Sequence, residues 1–402
     1  MKRRRVKITG IGPVTPAGIG KDAFWKGILE PVSRVRRLER FAETGAGPFV
    51  AAEIRDFNLT RYLPGVSGKR VPRHTQFALA GAALAIEDAG LTFSAVGAMS
   101  PLVIAGAALM DFGVINKGIE LIVRKGNQIG LPSTVLNASV CTISSAIAGQ
   151  IGGSLRTLTM QTDCCSGLDA LGHAAAMVAN GEAEIAICGG AEAPIHLHPM
   201  VEFKLAGLAP NNDETPERLC RPFDRWRTTG VIGEGACMFV LEPESSPRPG
   251  YGFVSGYAFA SDQNEDTLGG LEDAIRLALA NGRIRAHEID CIYAWGPGHP
   301  VIDAAEAGVL QRVFEEKLAE IPVVSIKGAV GNPLGAGGAI QAGCAALGLR
   351  LGAIPPTVNW QHPDPACPLN LSGQPRRLHC SKVLINAHGL AGVNASLILE
   401  RC

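Results

Sequence analysis

The 402-residue sequence has few aromatic residues (5%), few charged residues (18%) and a formal net charge of zero. Binding to nucleic acid needs a basic excess on at least one domain, so this balance argues against nucleic acid as the main partner. No apolar run approaches the ~18 residues of a membrane-spanning helix. The opening MKRRRVKITGIGP lacks the apolar core of an export signal. We therefore expect a cytoplasmic protein with no membrane span.

Cysteine is present but not in the patterns of a disulfide framework or a metal site. The eleven cysteines are an odd number, and all but one adjacent pair stand singly. No C-x2-C spacing is paired with histidines, so we expect neither a zinc site nor another bound metal. In a cytoplasmic chain these cysteines should be reduced thiols.

Glycine is abundant (49 residues), and strand-like runs that end in glycine-rich turns alternate with helical stretches. This alternation predicts a mostly parallel or mixed sheet with helices on its faces. The predicted strands lie at 6–12, 101–108, 184–193, 236–243, 252–261, 289–298, 322–331 and 381–389, and the clearest helices at 74–90, 133–153, 166–181, 268–282 and 335–352.

Two of these helices, 166–181 and 335–352, are apolar on nearly every side, which predicts that they are buried between two sheets. The order of strand end, turn, buried helix and glycine-rich segment around 161–193 is echoed faintly in the second half. The Pro/Ser/Gly-rich stretch 243–252 divides the chain into residues 1–243 and residues 244–402.

The segment TDCCSGLDALGHA places two adjacent thiols where a strand end passes into a buried helix. Unpaired N–H groups and the positive dipole end of a helix stabilise a thiolate, which is the reactive form of cysteine. The N–H groups of such a turn can also hold an oxyanion. The alternative is that a small buried cysteine only packs, and spacing alone does not separate the two.

Six segments in the same order resemble the β-ketoacyl-acyl carrier protein synthases, over essentially the whole chain. They are VKITGIGPVTPAGIGKDAFWKGI, TDCCSGLDALGHA, GEAEIAICGGAEA, RPFDRWRTTGVIGEGACMFVLE, PPTVNWQHPDP and NAHGLAGVNASLIL. The second segment is similar to the family's T-A-C-x-S-G corner, and the resemblance places the nucleophile at Cys164.

The resemblance implies the thiolase fold, in which two duplicated α/β halves are stacked as five layers (αβαβα) with mixed sheets. It also implies a dimer through a strand of the first half. The cysteine of these enzymes accepts an acyl chain as a thioester, and a decarboxylated malonyl unit is then joined to the acyl carbon. The phosphopantetheine arrives on the acyl carrier protein, so no bound cofactor is expected.

The sequence departs from the family where two histidines usually polarise the malonyl thioester carbonyl. YAWGPGHP places Trp295 at the first position, and KGAVGNPLGA places Asn332 at the second. Each of these side chains can donate a hydrogen bond, but an indole N–H does not exchange a proton at neutral pH. Both residues are therefore compatible with carbonyl polarisation, while acid–base chemistry at Trp295 is lost.

Other site positions also change. By the resemblance, His299 replaces a threonine beside the pantetheine arm, and His388 and Leu390 replace two phenylalanines of the closing loop. Leu390 takes the gate position, and its N–H would join that of Cys164 in the oxyanion hole. We hypothesise that His299 or His388 replaces the missing imidazoles, against the alternative that each only packs. Asp163 disfavours a neighbouring thiolate, or pairs with a base.

The family's lysine and glutamate are kept as Lys327 and Glu306, which we expect to form a buried ion pair. Asp303 also matches the family, His173 is expected to form hydrogen bonds in the core, and Cys165 is expected to pack.

Three functions are compatible with these residues. The first is acyl transfer from a carrier protein to Cys164, followed by condensation in fatty acid or polyketide assembly. The second is that of a non-condensing partner resembling a chain length factor, in a heterodimer with a second ketosynthase subunit rather than a homodimer. The third is hydrolysis of an acyl-cysteine with Asp163 or His299 as the base. An acidic carrier protein would meet the basic residues of Arg34–Arg40 or Lys69–Arg73.

Overall fold

The computed structural model describes residues 3–126, 133–153, 155–263 and 268–402. Its ten principal strands are β1 Val6–Thr15, β2 Leu102–Gly106, β3 Arg156–Met160, β4 Ala186–Glu192, β5 Gly235–Pro243, β6 Gly252–Ser261, β7 Cys291–Tyr293, β8 Val323–Val324, β9 Lys382–His388 and β10 Val393–Glu400. Short strands are added at Gly18–Ile19, Val35–Arg37, Val50–Ala52, Ala353–Ile354 and Arg376–Arg377.

The α-helices are α1 Lys21–Leu29, α2 Arg73–Asp88, α3 Phe93–Ala98, α4 Phe112–Lys125, α5 Ser133–Ala138, α6 Thr142–Ile151, α7 Ser166–Ala179, α8 Leu197–Leu205, α9 Gly269–Gly282, α10 Pro300–Phe314, α11 Lys327–Val330 and α12 Gly337–Leu351. None of the helices in the described ranges combines the length and apolar composition needed to cross a membrane.

The two halves of the chain repeat one strand order. Strands of the first half lie in the order β3-β2-β4-β5-β1, and those of the second half in the order β8-β7-β9-β10-β6. The last strand of each order, β1 or β6, is antiparallel to its neighbours. The second strand of each order, β2 or β7, is parallel to the strands on both sides. The two sheets are joined by a short antiparallel pairing of β1 with β6. This repeated mixed topology confirms the predicted thiolase-like fold.

Helices α7 and α12 pack against each other between the two sheets, as their all-round apolar character predicts. Their close approach depends on glycine, because a Cβ at Gly338 would come within 2.7 Å of the Leu168 side chain. Helix α2 covers the outer face of the first sheet and α9 the outer face of the second, which completes the five layers.

Each central helix is preceded by a short 3-10 turn of the same design. Asp163–Cys165 precedes α7, and Leu334–Ala336 precedes α12. The first residue of each turn has a positive φ, 51° at Asp163 and 41° at Leu334. The faint repeat in the sequence therefore corresponds to a structural repeat, with Gly335 in the place that Cys164 occupies in the first half.

Several predicted elements are shorter than the sequence pattern indicated. The predicted strand 289–298 ends at Tyr293, and the predicted strand 322–331 is only β8, followed by α11. The predicted helix 133–153 is two helices, α5 and α6, separated at 139–141. In the first case the Ala294 N–H still donates to Val324 of β8, but from Trp295 onward carboxylates of α10 bind the backbone N–H groups.

Candidate active site

The turn that carries Cys164 is held in shape by the side chain of one serine. The Oγ atom of Ser166, the first residue of α7, accepts the Thr162 N–H at 2.9 Å and donates to the Asp163 carbonyl at 2.6 Å. These bonds close the turn around Cys164, whose side chain is at the start of the buried helix and only 3% exposed.

Cys164 lines a pocket of about 440 Å³ that opens to solvent. The pocket brings together residues that are far apart in the sequence. The six predicted site residues that share it are Cys164, Trp295, His299, Asn332, His388 and Leu390. Its other walls are mostly apolar and include Phe203, Leu208, Ile232, Ile302 and Leu334.

The backbone of the Trp295 loop is fixed by two buried carboxylates of α10. Glu306 accepts the N–H groups of Trp295 and Gly296, both at 2.8 Å. Asp303 accepts the N–H of Gly298 at 3.0 Å. Because both acids are fully buried and one helical turn apart, they fix the position of the indole in the pocket wall.

The predicted ion pair between Lys327 and Glu306 is wrong in its geometry. Lys327 donates from Nζ to the Trp295 carbonyl and, at 3.1 Å, to Gln341. Its Nζ lies 3.4 Å from the centroid of the Trp295 ring. Glu306 is bound to the N–H of that same residue, so the two charges act on opposite sides of Trp295 and are not joined directly. Burial lowers the pKa of Lys327, and the charge of Glu306 partly offsets this.

Two hydrogen-bonding groups in the pocket have no partner among the described residues. The Asn332 backbone is fixed, because its N–H donates to Val231 and its carbonyl accepts from Gly233. Its carboxamide makes no hydrogen bond, and Oδ1 is buried without a partner. The Trp295 indole N–H also forms no hydrogen bond with a described residue. The NH2 of the Asn332 carboxamide and the Trp295 indole N–H can each donate to a substrate carbonyl.

Burial raises the pKa of the Cys164 thiol well above its ordinary value, and the charge of Asp163 raises it further. The expected stabilisation of a thiolate is therefore outweighed, because a buried negative charge next to a carboxylate is disfavoured. The Cys164 Sγ is 3.6 Å from Asp163 Oδ1. Within the described part of the chain Asp163 pairs with no base, and its Oδ2 accepts the Ala391 N–H of the closing loop at 3.1 Å.

The histidines of the pocket are held differently. His299 is the N-cap of α10, and its Nδ1 is 3.5 Å from the Ile302 N–H. Burial and the charge of Arg227 lower the pKa of His299. His388 is more deeply buried, and its Nδ1 is 2.9 Å from Oδ1 of Asn394.

The closing loop brings a backbone donor to the nucleophile corner. Leu390 has an exposed side chain and lines the pocket with Cys164. Among the described residues, neither the Leu390 N–H nor the Cys164 N–H forms a backbone hydrogen bond outside the regular elements. That arrangement leaves both N–H groups available, as the predicted oxyanion hole requires.

Two family models match nearly the whole chain. The N-terminal domain of β-ketoacyl synthase matches residues 3–246, and the C-terminal domain matches residues 251–361. The chain belongs to the β-ketoacyl synthase family. The family expected from the six sequence segments is therefore confirmed.

The relatives of this chain include polyketide β-ketoacyl synthases and 3-oxoacyl-[acyl-carrier-protein] synthases. A putative polyketide β-ketoacyl synthase 1 of Streptomyces cyaneus is 32% identical over 98% of this chain and 98% of its own length. The 3-oxoacyl-[acyl-carrier-protein] synthase 2 of Coxiella burnetii is 30% identical, over 100% of this chain and 99% of its own. The solved structure of the ishigamide ketosynthase/chain length factor superposes with a TM-score of 0.92 at 30% identity, and each chain is fully covered.

Residues outside the pocket are placed as follows in this β-ketoacyl synthase. His173 makes an edge contact with Tyr257 at 5.5 Å between ring centroids, where a core hydrogen bond was expected. Cys165 is buried and donates to the Val393 carbonyl. In the two basic stretches, Arg40 is paired with Glu53 and Arg73 with the buried Glu234, so these two cations are used within the chain.

Two residues that bond in series behind His388 were missed in the sequence. Asn394 and Asp262 lie behind His388, and Asn394 donates from Nδ2 to Asp262 Oδ1 at 2.8 Å. Asn394 is part of the closing segment that carries the family resemblance, so its neighbourhood was visible in the sequence. Asp262 follows β6, more than one hundred residues earlier, and no sequence spacing connects it to the site.

Proposed function

We propose that Cys164 accepts an acyl group from an acyl carrier protein and condenses it with a decarboxylated extender unit. The observation that supports this most directly is the shared pocket, which places the Trp295 indole and the Asn332 carboxamide around the Cys164 thiol. Trp295 and Asn332 take the role of the family's two histidines. A phosphopantetheine arm on the carrier brings both substrates, so the chain needs no bound cofactor.

The chemistry does not require an imidazole at position 295. Loss of CO₂ from a malonyl thioester leaves an enolate, whose negative oxygen needs hydrogen-bond donors and no proton transfer. The enolate carbon then attacks the acyl carbon on Cys164. The C–S bond breaks, the Cys164 thiolate leaves, and the transient oxyanion is held by the N–H groups of Cys164 and Leu390.

The buried cluster behind the indole serves this function by fixing its position. Lys327 and Glu306 hold the two sides of the Trp295 backbone, and the lysine also lies over the ring. A donor that is preorganised in this way stabilises a developing charge without reorganising during the reaction. Lys327 and Glu306 are therefore positioning residues in the proposal, not groups that touch the substrate.

A second chain of the same fold is the proposed partner. Strand β3 is an edge of the sheet, and Leu158 on it is 46% exposed. Ile119 and Val123 of helix α4, also in the first half, are exposed as well. An edge strand that carries an exposed apolar side chain is suited to pairing with another chain. The partner is either a second copy or a different ketosynthase subunit.

The second candidate function is that of a non-condensing partner subunit. The replacement of an imidazole by Trp295 favours it, and the solved ketosynthase/chain length factor of similar fold supports it. In that case the acyl chain is carried on the other subunit, and Cys164 receives none. The intact Cys164 corner favours the condensing role.

The test is mass spectrometry of Cys164 after incubation with acyl-loaded carrier protein, with CO₂ release from malonyl carrier protein measured in parallel. In the Trp295→Phe variant we expect acylation within about tenfold of the native rate and CO₂ release lower by ~10²-fold, the usual effect of removing one oxyanion donor. Trp226→Phe, at an exposed tryptophan, is the matched control. Absence of an adduct, together with tight binding to a second ketosynthase, would support the partner-subunit function instead.

A further inference from the structure

His388 is held by a chain of three side chains that ends at a carboxylate. It is the last residue of β9, it is buried, and it lines the pocket that contains Cys164. Its Nδ1 lies 2.9 Å from Oδ1 of Asn394, and Nδ2 of Asn394 lies 2.8 Å from Oδ1 of Asp262.

The orientation of the Asn394 amide is determined by its other partners. Its Nδ2 donates to Asp262 and, at 3.3 Å, to the Gly392 carbonyl, and both of these oxygens are acceptors only. Its Oδ1 must therefore be the atom that faces His388. Because Oδ1 only accepts, His388 must carry its proton on Nδ1.

Asp262 is itself fixed, so the chain of bonds has a rigid end. Its carboxylate accepts the N–H groups of Gly270 at 3.0 Å and Leu268 at 3.3 Å. Its own N–H donates to the Gly392 carbonyl at 2.7 Å. With Nδ1 protonated, the neutral His388 ring keeps the lone pair on Nε2, which is the form of a general base.

The nucleophile needs such a base. The Cys164 side chain is buried beside Asp163, whose charge disfavours a thiolate. The buried cation Lys327 is committed to the Trp295 carbonyl and Gln341. His299 is in the other tautomer. Its Nδ1 accepts the Ile302 N–H, so its proton is on Nε2. A thiol in these surroundings attacks a thioester only if its proton is removed.

We infer that His388 is the general base for Cys164, and that Asn394 and Asp262 are positioning residues that fix its tautomer; this inference rests on the proposed function. Nε2 takes the proton from Sγ, directly or through one water, while Sγ attacks the carbonyl carbon of the acyl-pantetheine thioester. The C–S bond to pantetheine then breaks. The His388 imidazolium returns the proton to the leaving thiolate, so pantetheine departs as a free thiol.

The variant that separates the chemistry from the structure is His388→Asn. An asparagine amide can still donate to Asn394 Oδ1, but it has no basic nitrogen. The rate of Cys164 acylation by an acyl-pantetheine thioester is measured from pH 5.5 to 9 by mass spectrometry. We expect a decrease of ~10²-fold or more at pH 7 and loss of the histidine limb of the native pH profile. His198→Gln, at an exposed histidine, is the control.

A second variant, His388→Ala, provides a readout that a structural role would not change. We expect added imidazole to restore part of its acylation rate, in a manner that saturates with imidazole concentration. An unchanged rate and pH profile in His388→Asn, with no rescue of His388→Ala, would overturn the inference and leave the proposed function intact. If the native chain does not acylate at all, the proposed function fails. The same profiles, measured with iodoacetamide at Cys164, then still test His388.

Discussion

Removing the Glu306 carboxylate should release the loop that holds the indole. In Glu306→Ala, the N–H groups of Trp295 and Gly296 lose an acceptor, and so does the Asn386 amide at 3.2 Å. Leaving a buried donor unsatisfied costs about 1–3 kcal/mol, and removing one charge of a buried opposite-charge set costs about 3–5 kcal/mol. These contributions overlap, so we expect a loss of roughly 4–6 kcal/mol in the free energy of unfolding.

Urea unfolding followed by tryptophan fluorescence measures this loss, with Glu316→Ala as the matched control. Glu316 follows the same helix and is exposed, so its removal should change stability by less than about 0.5 kcal/mol. Glu306→Gln keeps one acceptor oxygen and should lie between the two. If Glu306→Ala unfolds within about 1 kcal/mol of the native chain, the carboxylate does not hold this loop and the account of Trp295 is wrong.

Three further predictions concern other parts of the molecule. Asp163→Asn keeps an acceptor for Ala391 but removes the charge that raises the pKa of Cys164, so iodoacetamide should alkylate Cys164 several-fold faster at pH 8; an unchanged rate would contradict the assigned charge effect. Burial raises the pKa of Glu192 from 4.5 to about 8, so the folded chain binds this proton more tightly and loses stability as the pH rises from 5 to 8. Glu192→Gln removes this dependence. In urea unfolding, the free energy of unfolding of Glu192→Gln minus that of the native chain should therefore rise by up to about 4 kcal/mol between pH 5 and pH 8. A difference that stays constant over this pH range would refute the raised pKa of Glu192. Leu158→Arg should shift a dimer toward monomer in analytical ultracentrifugation, whereas Leu277→Arg, on α9 and 48% exposed, should not; equal behaviour of the two variants would argue against pairing at β3.

The fold was predictable because its signals are local and repeated. Helices such as α12 are apolar on all sides, and only a site between two sheets buries every face of such a helix. The predicted strand 289–298 was too long because alternation of residue types does not show that Glu306 and Asp303 bind the backbone beyond Tyr293. That competition for N–H groups is a tertiary effect and has no signal in a short window.

The sequence predicted which residues line the pocket, but it did not predict the hydrogen bonds that each of them makes. Family segments placed Cys164, Trp295 and Asn332 on loops that the fold brings together. Lys327 and Glu306 were expected to contact each other, but both bind the backbone of Trp295. Each buried charge has a backbone hydrogen-bond partner there, the carbonyl for Lys327 and the N–H for Glu306. The bond from Asn394 to Asp262 joins positions 132 residues apart, and only the folded chain shows it.

The repeated 3-10 turns also explain why, among the described residues, the thiol of the Cys164 turn has no counterpart in the second half, although the strand order is repeated. At the second turn, a Cβ on Gly335 would come within 2.4 Å of the Ala108 nitrogen and 2.8 Å of a Glu192 oxygen. No thiol can be accommodated there without moving backbone. The Gly335 N–H is bound to Glu192 instead of being offered to a ligand. The turn at Gly335 therefore joins the second half of the chain to Glu192 of the first half. Of two turns with the same backbone design, one carries the thiol and the other holds the two halves together.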